Sequence, residues 1–189
     1  MNVPTDLDRR FCDAAEREGL VDVAYDLADT PVGELLVAST GHGLCRVAYR
    51  PDEALDELAD DFGARVLRIP RRLDEVKREL DEYFEGRRRD FDLAMDLSPV
   101  PAFHLEALRE LARVPYGQVT TYGALAAKIG HPRAARAVGG AMNKNPIPII
   151  LPCHRVIGSN GSLTGYGGGL DRKVALLRLE GALLDTLIP

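Results

Sequence analysis

Pro152-Cys153-His154-Arg155-Val156 is the stretch of this sequence whose residue types can do chemistry. A thiol attacks as its thiolate, and free cysteine titrates near about 8.5, so at neutral pH it needs a base or a positive charge in reach. Here an imidazole follows directly, a guanidinium comes next, and Pro152 restricts the backbone entering the thiol. Alone, a Cys-His pair more often marks a buried, inert cysteine than a nucleophile. The elements around it decide between the two.

The chain has 189 residues, room for one large domain or two small ones. No apolar run reaches the roughly 18 to 20 residues that span a bilayer. The acidic start, Met1 to Asp8, lacks the apolar core of a secretory signal. Three cysteines, Cys12, Cys45 and Cys153, are too few and too odd in number for a disulfide framework; they fit a reducing cytoplasm. Charge is divided unevenly. Residues 1–100 hold 14 Lys and Arg against 24 Asp and Glu, whereas residues 101–189 hold 10 against 5. A basic working surface joined to an acidic, non-contacting domain would give this pattern; so would ordinary variation of solvated surfaces.

Leu7 to Arg17 has the spacing of a short amphipathic helix, an N-terminal extension over residues 1–20. Val21–Ala28 and Glu34–Ser39 alternate like strands around a Thr30-Pro31-Val32-Gly33 turn, with a third strand over Gly43–Tyr49. Helical spacing follows over 54–62 and again over 73–84, ending at Gly86. Strands and then helices, without βαβ alternation, predict an α+β domain over residues 21–97. Arg87-Arg88-Arg89-Asp90 is expected as a solvated loop. Ser98-Pro99-Val100-Pro101 marks a boundary, and residues 98–189 are read as a second, helical domain. In it a helix begins at Phe103. Thr121–Ile129 and Arg133 to about Asn143 then flank Gly130-His131-Pro132, a helix-turn-helix pattern. The second of these helices is rich in small residues, which suits either helix packing or close approach to another surface.

Five motifs in order carry a family resemblance: Val114-Pro115-Tyr116-Gly117-Gln118-Val119-Thr120-Thr121-Tyr122-Gly123, Ala134-Ala135-Arg136-Ala137-Val138-Gly139-Gly140-Ala141-Met142, Asn145 through Val156, Leu163 through Leu170, and Leu179-Glu180-Gly181. Together with weaker matches at Thr30–Gly33 and Tyr83-Phe84-Glu85-Gly86, the chain resembles the O6-alkylguanine-DNA alkyltransferases, also called methylated-DNA–protein-cysteine methyltransferases. The resemblance runs from about Val21 to Gly181. It implies a small ribonuclease-H-like α+β domain followed by a winged-helix-like domain, and single-use transfer of an alkyl group from O6-alkylguanine; the sequence leaves open whether O4-alkylthymine is also accepted. The expected partner is double-stranded DNA bearing that lesion, bound by a cytoplasmic monomer with no membrane and no cofactor.

By the same resemblance Cys153 accepts the alkyl group, His154 takes the thiol proton through a water, and Glu180 orients the imidazole. Tyr122 donates to the departing guanine, and Asn145 organises the turn before the cysteine. Arg136 is implied as the finger that fills the stack after the base is flipped out. Ala135, Ala137, Gly139, Thr121 and Arg155 are expected at the DNA, where the minor groove of about 6 Å admits only small side chains. Met142, Pro148, Val156, Tyr166, Gly167 and Lys173 are expected around the substrate pocket, Tyr166 packing on the flipped base.

The sequence departs from that pattern in places. Phe103-His104 stands where relatives often have Phe-Gln, a later tryptophan is replaced by Leu108, and Gly167 takes the place of a serine. Some relatives bind structural zinc. His42 and Cys45, with Cys12 and His104, lack the paired spacing of such sites, so no metal is expected. The alternatives are a non-catalytic damage sensor, which would lack the cysteine, and a helix-turn-helix regulator, which would carry polar base-reading side chains. A papain-like hydrolase would keep its histidine far from the cysteine.

Overall fold

Residues 5–183 are described by a computed structural model, and they divide into two compact units. The chain passes between them more than once. Of the described residues, 5–80 and 93–99 form the first unit, and 81–92 with 100–183 form the second.

In the first unit the strands β1 (Val23–Ala28), β2 (Leu35–Thr40) and β3 (Gly43–Ala48) form an antiparallel meander. The β1–β2 connection closes through Thr30, whose hydroxyl donates to the Gly33 carbonyl at 2.6 Å. All six residues of β2 are buried, as a central strand covered on both faces must be. A fourth strand, β4 (Val66–Arg68), pairs parallel to β1 and completes the order β3-β2-β1-β4. At three residues β4 is too short for alternation to reveal, and it qualifies the expectation of strands followed only by helices.

Helix α2 (Pro51–Phe62) starts with proline, which lacks only an N–H that a first turn leaves unpaired, followed by Asp52 and Glu53 at the positive end of the helix dipole. Its Ala54 and Leu58 bury against Val23, Leu36, Ala38 and Cys45. Full burial of Leu58 contributes about 1.5–3 kcal/mol. Leu93–Pro99 returns beside β3, where the Leu44 N–H donates to the Ala94 carbonyl at 2.8 Å. Gly43 is required there: a Cβ would lie 2.4 Å from the Ala94 oxygen, and its φ is +137°. Helix α1 (Thr5–Arg17), expected as a helical N-terminal extension, falls within this unit. It buries Cys12 and Ala15, and its Asp13 and Glu16 pair with Arg71.

The second unit takes in the end of α3 (Asp74–Phe84), then α4 (Ala102–Leu111), α5 (Tyr122–Lys128), α6 (Ala135–Asn143) and α7 (Leu170–Leu179). Leu108 is fully buried on α4 with Ala107 and Leu111, so leucine fills a core position there. α5 and α6 form the expected helix-turn-helix. Two short parallel strands, β5 (Thr120–Thr121) and β6 (Val156–Ile157), join the entry of α5 to the segment after Cys153. Neither these strands nor α7 is foreseen from the sequence. The apolar stripe of α7 is interrupted by a lysine, Lys173, on its buried face.

Candidate active site

The thiol is presented by backbone bending on both sides. Asn145 caps the turn after α6: its amide donates to the Leu151 carbonyl at 2.8 Å, and its carbonyl oxygen accepts from the Ile147 N–H at 3.0 Å. Ile149 is buried at φ +77°, a left-handed conformation that a β-branched residue adopts only when its surroundings force it. Pro152 then leads into a single 3-10 turn, Cys153–Arg155, which ends in β6.

Cys153 lines a narrow cavity of about 50 Å³ with Tyr122, Gly139, Met142, Asn143, Gly165 and Tyr166. Burial pushes its thiol up to about 11, while a hydrogen bond with Asn145 and the charge of Lys173 pull the other way. Lys173 lies fully buried, donating to the Val156 carbonyl at 2.6 Å and the Thr164 carbonyl at 2.9 Å. It therefore braces the chain from beneath instead of lining the cavity as expected. Val156 and Pro148 are buried and likewise do not line it. Gly167 is exposed two residues beyond Gly165.

His154 has no exposed surface. Its Nε2 meets Glu180 Oε1 at 2.9 Å, and its Nδ1 is buried without a partner among the described residues. Burial lowers the imidazole's affinity for a proton, opposed by the hydrogen bond and charge of Glu180. Burial would raise Glu180 as well, but hydrogen bonds from His154 and Arg155 outweigh it and hold the carboxyl at about 2. Because an ionised carboxylate only accepts, Nε2 carries the proton and Nδ1 presents the lone pair.

Arg155 corrects an expectation. Sequence reasoning assigns it to DNA, yet it is 5% exposed. Its Nε and Nη2 bind the two oxygens of Glu180 at 2.9 and 2.8 Å, and Nη1 donates to the Val114 carbonyl at 2.6 Å. A guanidinium with its fork so engaged and buried does not reach a phosphate.

Glu180 collects two further donors. The Tyr83 hydroxyl reaches Oε1 at 2.8 Å, and the Gly117 N–H reaches Oε2 at 3.3 Å. Gly117 is indispensable at φ +74°, since a Cβ would stand 2.8 Å from the Glu180 carbonyl oxygen. Tyr116 donates to the Leu179 carbonyl at 3.0 Å, and Arg155 and Arg89 both stand over its ring. Arg89 stays exposed in the expected loop while its guanidinium stands over the Tyr116 ring. Tyr83 and Tyr116 are parts of the site that sequence reasoning does not single out; each appears only inside a motif, Tyr83-Phe84-Glu85-Gly86 and Val114-Pro115-Tyr116-Gly117.

On the helix-turn-helix, Tyr122 opens α5 and its hydroxyl donates to the Thr164 carbonyl at 3.2 Å. Thr121 caps the same helix, its Oγ1 accepting from the Ala124 N–H at 3.1 Å. Along α6, Val138, Ala141 and Met142 face inward, whereas Arg136, Ala137 and Gly140 are exposed and Ala135 and Gly139 half-buried. The outward face is thus small side chains around one arginine. Among the described residues no group of three or more His, Cys, Asp and Glu is arranged to hold a metal. No described helix is long and apolar enough to cross a membrane.

Two family models match the chain. Residues 23–97 match the 6-O-methylguanine DNA methyltransferase ribonuclease-like domain, and residues 102–182 match the DNA binding domain of the same name. A methylated-DNA–protein-cysteine methyltransferase of Methanosarcina acetivorans is 42% identical over 159 residues, covering 84% of this chain and 98% of that protein. The constitutive one of Bacillus subtilis is 38% identical over 157 residues, covering 82% and 94%. Among solved structures, Mycobacterium tuberculosis OGT in complex with DNA superposes with a TM-score of 0.74 at 38% identity, covering 84% of this chain and 93% of that one.

Proposed function

The chain belongs to the methylated-DNA–protein-cysteine methyltransferase family, and from that premise we propose that Cys153 is the atom-level acceptor of the alkyl group. The protein repairs DNA by alkyl transfer to a cysteine, and its partner is DNA. Residues 21–97 serve as the ribonuclease-H-like part and 98–189 as the part that binds DNA and accepts the alkyl group.

The observation that carries the assignment is the imidazole next to Cys153. Its Nε2–H is held by an ionised Glu180, and its Nδ1 is buried with no partner among the described residues. A thiol that burial keeps protonated needs such an acceptor. The proton of Cys153 passes to Nδ1, directly or through one water, and the Glu180 charge stabilises the resulting imidazolium. The sulfur then attacks the alkyl carbon, forming an S–C bond as the C–O6 bond breaks. The electron pair leaves on guanine O6, toward which the Tyr122 hydroxyl turns from Thr164 to donate. Lys173 favours the thiolate by charge alone, while Asn145 fixes the turn that aims it.

Access requires extrusion of the nucleotide, at a few kcal/mol that is less for a poorly paired lesion. The exposed Arg136 fills the vacated stack, and the small outward face of α6 permits groove contact. Tyr166 and Met142 wall the pocket. A thioether has no good leaving group, so each molecule acts once. The three cysteines form no disulfide among the described residues, which suits the cytoplasm as the place of work.

The test is intact mass after incubation with duplex DNA carrying O6-methylguanine. One methylene-equivalent gain per chain, mapped to the peptide holding Cys153, is expected. Gain on another peptide, or sustained turnover, would overturn the assignment.

A further inference from the structure

Glu180 Oε1 receives three donors: His154 Nε2 at 2.9 Å, Arg155 Nη2 at 2.8 Å and the Tyr83 hydroxyl at 2.8 Å. Oε2 receives Arg155 Nε at 2.9 Å and the Gly117 N–H at 3.3 Å. A carboxylate offers about four lone-pair sites, so five donors saturate it, and each one takes a share of the charge that His154 can draw on. Tyr83 differs from the others in origin. It comes from the end of α3, 97 residues before Glu180, and is fully buried. Its ring meets Tyr116 edge-on at 6.1 Å and Phe91 at 5.3 Å, so the phenol cannot swing away.

We propose that Tyr83 is a positioning residue for alkyl transfer: its hydroxyl fixes the Glu180 carboxylate against His154 and limits the negative charge that Glu180 presents to the imidazole. The proposal deepens the reading above and rests on it. Two features of the phenol support the role. Burial, with the charge and hydrogen bond of Glu180, raises Tyr83 far above the ordinary phenol range, so it stays a donor throughout the working pH. Apart from His154 itself, the phenol is also the one neutral side-chain donor in the set, so it turns the carboxylate without adding a cation beside a histidine that has to become one.

The groups facing this imidazole come from every neighbouring element. Glu180 closes α7, Lys173 stands on the same helix, and Arg155 and Cys153 share its turn. Tyr116, with Arg89 over its ring, faces Glu180 from the segment before β5. Within this set Tyr83→Phe removes one donor to Glu180 and no formal charge. With less of its charge neutralised, Glu180 should stabilise the imidazolium more, and His154 should stay protonated to higher pH. An imidazolium cannot accept the thiol proton. The acid limb of the transfer rate should therefore move up by about half a pH unit, making transfer about threefold slower on that side and little changed above it.

The experiment follows single-turnover transfer from a benzylguanine analogue, which needs no base flipping, between about pH 5 and 8. Nitrogen-15 resonances of the His154 ring are titrated in the same proteins. Besides Tyr83→Phe, a second variant carries 3-fluorotyrosine at position 83, a stronger donor of nearly the same shape. It should move the limb and the His154 midpoint downward. Opposite shifts in the two variants are the expected result, and loss of packing alone does not produce them. If both fold and neither moves the limb or the His154 midpoint, the proposal is overturned, whatever happens to the melting temperature. Should Tyr83→Phe fail to fold, the fluorotyrosine protein decides alone: a downward shift supports the role and no shift refutes it. Alkyl uptake by a residue other than Cys153 would sink the proposed function instead, and the His154 titration would still decide whether Tyr83 acts through Glu180.

Discussion

Cys45 and Cys153 are both buried, and burial pushes both thiols upward, to about 12 and about 11. By that measure they are nearly the same residue, yet their surroundings differ in kind. Cys45 sits among Val23, Leu36, Ala38, Ala54 and Leu58 in the first unit, its S–H donating to the Ala38 carbonyl at 3.3 Å. The nearby charges of Arg46 and Asp96 act on its thiolate in opposite senses, and burial outweighs both. Cys153 opens on a cavity, feels the charge of a buried ammonium, and is followed in the chain by a histidine whose Nε2 is held by a carboxylate and whose Nδ1 has no partner among the described residues. What separates these two thiols is a path for the proton and room for a target, not a lowered pKa.

The sharpest way to break the comparison is to exchange serine for each thiol. Cys153→Ser should lower alkyl uptake by more than about a thousandfold while keeping affinity for alkylated duplex, since a hydroxyl is a far weaker nucleophile of similar shape. A radiolabelled methyl transfer assay measures it, and comparable uptake by the serine protein would mean another acceptor.

Next in size is removal of the carboxylates that anchor each unit. Glu180→Ala strands Arg155, which is buried at its full length, and should destabilise the protein by about 3–5 kcal/mol in urea unfolding. Asp26→Ala removes a carboxylate that is equally buried, but its partners Arg68 and Lys77 reach solvent, their side chains 56% and 27% exposed. That loss should stay near about 1 kcal/mol. Equal losses would erase the distinction between the two regions.

Acid should expose the same difference more gently. The folded Glu180 sits at about 2 against an ordinary 4.5, so its contribution is complete above 4.5 and disappears as pH falls toward 2. At about 1.4 kcal/mol per unit this is about 3 kcal/mol. His154 adds an earlier loss: its folded value is depressed by burial, so the unfolded chain binds the proton first and stability begins to fall below about 6.5. Urea unfolding at a series of pH values, with Glu180→Gln as reference, should find the lower phase absent in the variant.

Arg136→Ala should slow repair of duplex DNA by about tenfold while leaving reaction with a free benzylguanine analogue unchanged, because only the duplex requires extrusion. Equal slowing of both would mean damage to the fold. The smallest effect belongs to Cys45→Ser, expected to cost about 1 kcal/mol of stability in the same urea assay and to leave alkyl uptake at its original rate.

Much of the fold is legible in the residues. The Thr30–Gly33 turn, the alternation of Val23–Ala28 and the 3.6-residue spacing of α2 and α3 are local signals, and local signals survive in a sequence. The same holds for Cys153, His154 and Glu180, carried by motifs. Arg155 is misjudged because a cation in a DNA-associated motif looks the same whether it meets phosphate or a buried carboxylate; only the location of Glu180 separates the two. β4 escapes because its three residues pair with β1 from 43 positions away. α7 escapes because Lys173 occupies its inner face, a polar residue made tolerable by two carbonyls that no periodicity announces.

The donors gathered on Glu180 lie 97, 63, 26 and 25 residues before it in the chain. Contacts of such range close late, because loop entropy must be overcome before they contribute anything. Glu180 also leaves the ribosome after Cys153 and after every one of these donors. A thiol that can be used only once is thereby kept idle during synthesis: Cys153 emerges with His154 at its side but without the carboxylate that makes the imidazole a competent base. The order of translation acts as a safety catch, and a ribosome-stalled chain ending just before Glu180 should leave benzylguanine untouched.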